Sequence, residues 1–353
     1  MYNQGVFYNS DHWEYTPVKY WPNETSTTNN EGQDSKSAGV DRLTFFAYAP
    51  YVATASGPTG ITNITPNTTL GDPKISYTVA TDQDEAVDLL WGVIPDGLTS
   101  WANVTGTPLT SPAFTVGLPY LNLLKPNINQ KVDFLFRHAL AKISVGVQVV
   151  NDKVDPASSS FDNTNTKVFV KSITITSKTT DGFGTSGTLN LNNTTANIPL
   201  WESVTNNAAT ALAADESGEI AAALFWNAPT DNATRTSQFA QTGVTETLLN
   251  IASGAAPGAT DKGWMVVPTG SKNDFTVNID YFVMTKDTNL ETGYSIVENN
   301  ITKDVSVAAG FAGGYNYQIK LLLGLTSVKV NASVQAWVNG DATEVDLPMN
   351  VAP

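Results

Sequence analysis

Alternation with a period of two recurs along most of this chain and restricts its fold more than any other feature. Phe275, Val277, Ile279 and Tyr281 occupy every second position, as do Tyr315, Tyr317, Ile319, Leu321 and Leu323. Val328, Val330, Ala332, Val334 and Ala336 repeat the pattern, and Val168, Val170, Ile173 and Ile175 lie in a β-branched run. Neighbouring side chains of an extended strand point to opposite faces, so each such segment has one buried and one wetted face. Turn signals separate them: the Asn- and Pro-rich stretch 63–73, Asp181-Gly182, Pro268-Thr269-Gly270, Gly313-Gly314 and Asn339-Gly340. Helical signals are few. Residues 82–90 read as a short helix with an acidic first turn, and the apolar stretch 220–225 fits either helix or strand. The expectation is an all-β chain of sandwiches, with long loops and few short helices.

At roughly 100–200 residues per domain, 353 residues suggest two domains. The polar stretch 151–166 is the natural boundary. It divides the chain into an N-terminal sandwich over 1–155 and a C-terminal sandwich over 156–353. Charged residues are 15% of the chain, against a usual ~25%, and Thr and Asn supply about a fifth of it, which favours strands and turns. The formal net charge is -14. That leaves no basic footprint for nucleic acid and repels an anionic membrane surface. No apolar run approaches the ~18 residues of a membrane-spanning helix. The absence of cysteine removes disulfides, thiolate metal sites and cysteine nucleophiles together. The first residues show neither the basic region nor the apolar region of a signal peptide.

Chemistry-bearing residues are sparse. The two histidines, His12 and His138, would have to converge from opposite ends of the N-terminal half to form a catalytic pair. His138 lies in a strand-like segment, where packing is the simpler role. Gly182-Phe183-Gly184-Thr185-Ser186-Gly187 matches a dinucleotide-binding fingerprint in letters only. The next residues, Thr188-Leu189-Asn190-Leu191-Asn192, alternate like a strand, and the motif needs a helix there. A glycine-rich hairpin loop is expected. Asp82, Asp84, Glu85 and Asp88 cluster without the spacing or glycine of a calcium loop, and read as a solvated helix start. The chain is therefore expected not to be an enzyme, with no catalytic, cofactor-binding or metal-ligating residue.

The C-terminus is more informative. After Asn339-Gly340, a hairpin signal, Val345, Leu347, Met349 and Val351 alternate with polar residues or Pro348. Proline is tolerated at sheet edges, so residues 342–353 fit an edge strand of their own domain. They equally fit a strand donated to a neighbouring subunit. Trp101 and Trp201 lie in polar surroundings, where an aromatic ring either packs locally or stacks on a sugar.

Four segments in order carry a family resemblance: Trp13-Glu14-Tyr15-Thr16-Pro17-Val18-Lys19-Tyr20-Trp21-Pro22; Leu43-Thr44-Phe45-Phe46-Ala47-Tyr48-Ala49-Pro50-Tyr51; Asp88-Leu89-Leu90-Trp91; and the run from Val132 to Ile143 containing Phe134-Leu135-Phe136-Arg137-His138. Val170-Lys171-Ser172-Ile173-Thr174-Ile175, Trp264-Met265-Val266-Val267-Pro268 and Tyr315-Asn316-Tyr317 match more loosely. Together they resemble the Mfa-like fimbrillins, the pilins of Bacteroidales type V pili. The resemblance implies two transthyretin-like sandwiches, and export as a lipoprotein precursor to the outer membrane and cell-surface fimbria. No lipobox cysteine or upstream strand appears in this sequence. The resemblance further implies removal of a first N-terminal strand and head-to-tail assembly with other fimbrillin subunits by strand exchange. In that reading 342–353 is the donor strand. The alternative is a tip or accessory fimbrillin, an adhesin that binds host glycan or protein. In either reading Trp13, Tyr15, Tyr20 and Trp21 supply large amphipathic surfaces that can cover a sandwich edge.

Overall fold

The computed structural model describes residues 3–10, 12–16, 43–53, 60–65, 73–98, 100–101, 109–110, 114–123, 132–150, 161–208, 210–258, 262–325, 328–336 and 345–346. The first part of the chain runs β1 (Phe7–Asn9), β2 (His12–Glu14), β3 (Leu43–Phe45), β4 (Ala47–Ala49), β5 (Ile61–Thr65), β6 (Lys74–Thr78), β7 (Leu90–Val93), β8 (Ser100–Trp101), β9 (Leu109–Thr110), β10 (Tyr120–Leu123) and β11 (Leu135–His138). Longer strands follow: β12 (Ala141–Val149), β13 (Thr166–Ser177), β14 (Ser186–Asn190), β15 (Leu200–Thr205) and β16 (Ala211–Ala214). After the helix α1 (Asn232–Ala240) come β17 (Leu249–Asn250), β18 (Trp264–Val266), β19 (Asn273–Lys286), β20 (Tyr294–Val307), β21 (Tyr315–Leu323), β22 (Val328–Ala336) and β23 (Val345–Asp346). The all-β expectation holds.

Two compact units result, and neither is a continuous stretch. The first takes Met1–Thr78, Asp88–Ala139 and Gly187–Ser203; the second takes Val79–Val87, Leu140–Ser186 and Val204–Pro353. The expected boundary at 155/156 lies within 151–160, outside the described residues.

The second unit is a two-layer sandwich. One layer has the order β17-β12-β21-β22-β23, with β18 also on β12; the other has the order β16-β13-β19-β20. β12 and β21 run parallel from Lys142↔Asn316 to Val149↔Leu323. Parallel strands are usually covered on both faces, and eight of the nine β12 residues are buried. In the other layer the apolar phase of β13 slips between Val170 and Ile173. There its pairing with β19 steps from Val170↔Tyr281 to Ser172↔Asp280. This bulge leaves Lys171 unpaired and exposed, so Ile173 and Ile175 return to the buried face. Aromatic rings join the layers. Phe183 meets Phe275 at 6.2 Å, Phe275 meets Phe311 at 6.0 Å, and Phe311 meets Tyr317 edge-on at 4.6 Å.

The first unit is made of short strands in small sheets: β1-β2, β10-β3, β11-β7-β4, β15-β14-β6-β5 and β8-β9. Ile94, Phe114, Tyr120 and Leu123 form a buried cluster, packed by Phe45, Leu98, Val116, Val132 and Phe134. The phenol of Tyr120 donates to the Asp133 carbonyl at 2.6 Å.

Several local expectations fail for identifiable reasons. Residues 82–90 are not helical; they bend and then enter β7. The Asp82 carboxylate accepts the Asp84 N–H at 2.6 Å, a local turn that competes with helix. Asp82 also bridges to Ala213, and Gln83 Nε2 donates to the Glu219 carbonyl. Residues 220–225 are neither strand nor helix but a turn, with bridges from Ile220 to Ser217 and Phe225 to Val170. The glycine-rich segment after β13 does lead into a strand, but not as a hairpin: β13 and β14 belong to different sheets. Asp181, not Gly182, takes the positive φ, at 55°. Gly182 is there for space, because a Cβ would collide with the Lys178 carbonyl and the Ser177 hydroxyl.

Candidate functional site

His138 faces Leu90 across the β11–β7 pair. Its Nδ1 is 2.5 Å from Asp88 Oδ2. Its neighbour Arg137 holds both carboxylate oxygens of Asp96 at 3.0 Å. Asp88 precedes β7 and Asp96 follows it, so two basic side chains of β11 clamp the ends of β7. His12 pairs in β2 with Asn9 of β1.

The four clustered carboxylates do not converge. Asp84 takes the Lys262 ammonium at 2.6 Å within the second unit, while Asp88 takes His138 within the first. Among the described residues, no three histidines or acids form a group able to hold a metal ion. A shallow recess of about 410 Å³ is lined by Thr81, Asp82, Thr210, Ala211, Ala213 and Glu219. Burial pushes the Glu219 carboxyl above the usual carboxylate range, partly offset by the Asp215 N–H, which donates to Oε2 at 2.9 Å.

Trp201 is half-buried in β15, and its indole N–H is committed to the Ala139 carbonyl at 2.8 Å. Trp101 lies in β8, paired with Leu109 of β9; its side chain is outside the described residues. Of the aromatic N-terminal stretch, Trp13 covers no sandwich edge: it is 68% exposed and meets Tyr8 at 5.3 Å. Tyr20 and Trp21 are outside the described residues. Phe7 and Tyr8 are each 60% exposed on the same β1–β2 hairpin. Their sequence signal was the aromatic density around Asn9-Ser10, where Ser10 takes a turn φ of 56°.

At the C-terminus, Val345 pairs with Val334 and Asp346 with Ser333, antiparallel on β22. β22 pairs with β21 over all nine residues, from Val328 to Ala336. Among the described residues, β23 occupies only two positions along its other side. Leu347, Met349 and Val351 are outside the described residues.

No protein-family model and no curated protein matches the chain. Solved structures do. A fimbrial protein from Bacteroides vulgatus is similar with a TM-score of 0.53 and 20% identity, over 96% of this chain and 86% of that chain. A structure from Bacteroides uniformis, provisionally assigned to cell adhesion, aligns with a TM-score of 0.39 and 15% identity, over 84% of this chain and 73% of its own. The all-β fold of this chain is the fold of the Bacteroides vulgatus fimbrial protein, shared over nearly the whole length.

Proposed function

We propose that this chain is a structural, non-enzymatic subunit of a cell-surface fimbria, exported to the outer membrane and polymerising head to tail by strand exchange. The observation that carries this reading is the fold shared with a fimbrial protein over 96% of the chain. Among the described residues, no helix is long and apolar enough to cross a membrane. Among the described residues, the side of β22 away from β21 is paired only at Ser333 and Val334, which leaves main-chain donors and acceptors for an incoming strand, and the alternation of Val345, Leu347, Met349 and Val351 suits such an edge. A buried aliphatic side chain contributes roughly 1.5–3 kcal/mol. Four of them supply a tight contact after the cost of association is met. A head-to-tail contact leaves both ends open, so it builds filaments and not rings. Deleting 342–353 tests this: a folded, monomeric chain that forms no filaments supports the reading, and normal filaments sink it.

A second reading draws on a specific observation. Val345 and Asp346 lie on their own β22, which suits a tip or accessory subunit that keeps its tail and binds a host glycan or protein. Filaments assembled without this chain in the shaft, but capped by it in immunogold images, would favour that reading.

A further inference from the structure

Beside α1 lies a cleft of about 290 Å³. One face of the helix forms a wall with Thr234, Ser237 and Gln238, at i, i+3 and i+4, and the C-cap residue Gln241 continues it. Ser217, Phe225 and Asn227 face it. Asp231 caps the helix, its side chain accepting the Thr234 N–H at 2.7 Å, and the Thr234 hydroxyl is spent on the same cap.

Gln238 locks the two walls together. It is 5% exposed and uses both ends of its amide: Nε2 donates to the Phe225 carbonyl at 3.0 Å, and Oε1 accepts the Asn227 N–H at 3.0 Å. The residues between and beside these anchors point into the core. Trp226 stacks on Phe282 at 4.3 Å and 8°, and Phe239 packs in the same cluster with Phe169 and Met284. The backbone is fixed as well, by Trp226 N–H to Val170 O and Phe225 N–H to Ala221 O. Such support holds a site in place before any ligand arrives.

The chemistry of the lining is selective. None of its nine residues is charged, in a chain whose net charge is -14. Phe225 is a half-buried aromatic residue of the lining, and around it the side chains of Ser217, Asn227, Ser237 and Gln241 are exposed and make no hydrogen bond among the described residues. The lining offers an anion no cation, the Asp231 carboxylate beside Thr234 is committed to the helix cap, and an apolar ligand would strand four hydroxyl or amide groups. A neutral sugar fits all parts: its hydroxyls both donate and accept, and its C–H face packs on an aromatic ring. The volume lies just below the ~300–1,000 Å³ of ligand clefts, which suits one sugar unit at the end of a chain. We propose that this cleft is a binding site for a neutral saccharide. The site belongs to the second unit alone and does not depend on polymerisation.

The test uses the full chain against an array of neutral hexose and N-acetylhexosamine oligosaccharides with their sialylated and sulfated counterparts. Affinity for the best neutral probe is then measured by calorimetry. Asn227→Ala and Gln241→Ala should each weaken binding by about tenfold, and Ser237→Trp should abolish it by filling the cleft. All three positions are exposed, so the melting temperature should stay unchanged. Three results overturn the proposal: no neutral probe bound at millimolar concentration, binding only to sialylated or sulfated probes, or binding undiminished by Ser237→Trp. Capture of an uncharged peptide by the same cleft, with no sugar bound, counts against it as well. Filament assembly by the Ser237→Trp variant should remain normal, which separates this site from the tail.

Discussion

The two units solve the same problem with different strands. In the second unit β13, β19 and β20 have 12, 14 and 14 residues. A strand that long offers a whole row of inward positions, and Phe275, Val277, Ile279 and Tyr281 are each no more than 1% exposed. The strands β1 to β11 have two to five residues. A three-residue strand has one or two inward side chains, too few for a buried face. That unit relies on large single plugs and side chains bonded to backbone: Trp91 at 1% exposure, Tyr120 to the Asp133 carbonyl, and Trp201 to the Ala139 carbonyl. Repetition stabilises one unit and individual anchors stabilise the other.

Substitutions should separate these modes. The largest effect is expected for Phe275→Ala, which opens a cavity where three rings meet and should cost about 3–5 kcal/mol in denaturant unfolding. A loss under about 1 kcal/mol would mean that the layers are not joined through that ring. Tyr120→Phe keeps the ring and removes one bond, leaving the Asp133 carbonyl without it. About 1 kcal/mol is expected, and no loss would show that packing alone holds the first unit.

Glu219→Gln should work in the opposite direction. Burial raises this carboxyl above its unfolded value, so ionising it costs stability once pH rises past the ordinary carboxylate range. The variant should melt higher than the parent at pH 7 and level with it in acid, where both are neutral. A lower melting temperature at pH 7 would contradict the burial cost. Trp13→Ser is expected to change stability by no more than about 0.5 kcal/mol, because the ring is largely in solvent. A larger loss would make the N-terminal hairpin part of the core.

This contrast also explains what the sequence disclosed. Alternating runs such as Phe275 to Tyr281 are legible because each residue repeats the same message. Even the bulge in β13 is written as a slip of phase between Val170 and Ile173. The first unit was recognisable through its ordered motifs, but its pairings were not, since a strand like Ala47–Ala49 carries no period of its own. The segment 82–90 misled because its acidic residues suit a helix start, while its backbone bridges to Ala213 and its Gln83 side chain donates to the Glu219 carbonyl. α1 has a sequence signal that the alternation hides, Asp231 with Thr234 three residues on, a capping pair. The saccharide cleft was invisible because its walls, Ser217 to Asn227 and Thr234 to Gln241, come together only in the fold, where Gln238 and the Trp226–Phe239 cluster join them.

The central claim, that the tail pairs with a neighbour's β22, is tested most directly by covalent trapping. The chain has no cysteine, so Ser333→Cys with Asp346→Cys creates a single possible bridge across the β22–β23 register. Facing residues of antiparallel strands sit about 4.5–5.5 Å apart at Cα, within disulfide reach. Oxidised under assembly conditions and run on a denaturing gel, the double variant should give a ladder of covalent oligomers. A single band of internally bridged monomer, from preparations that contain filaments, would contradict strand exchange.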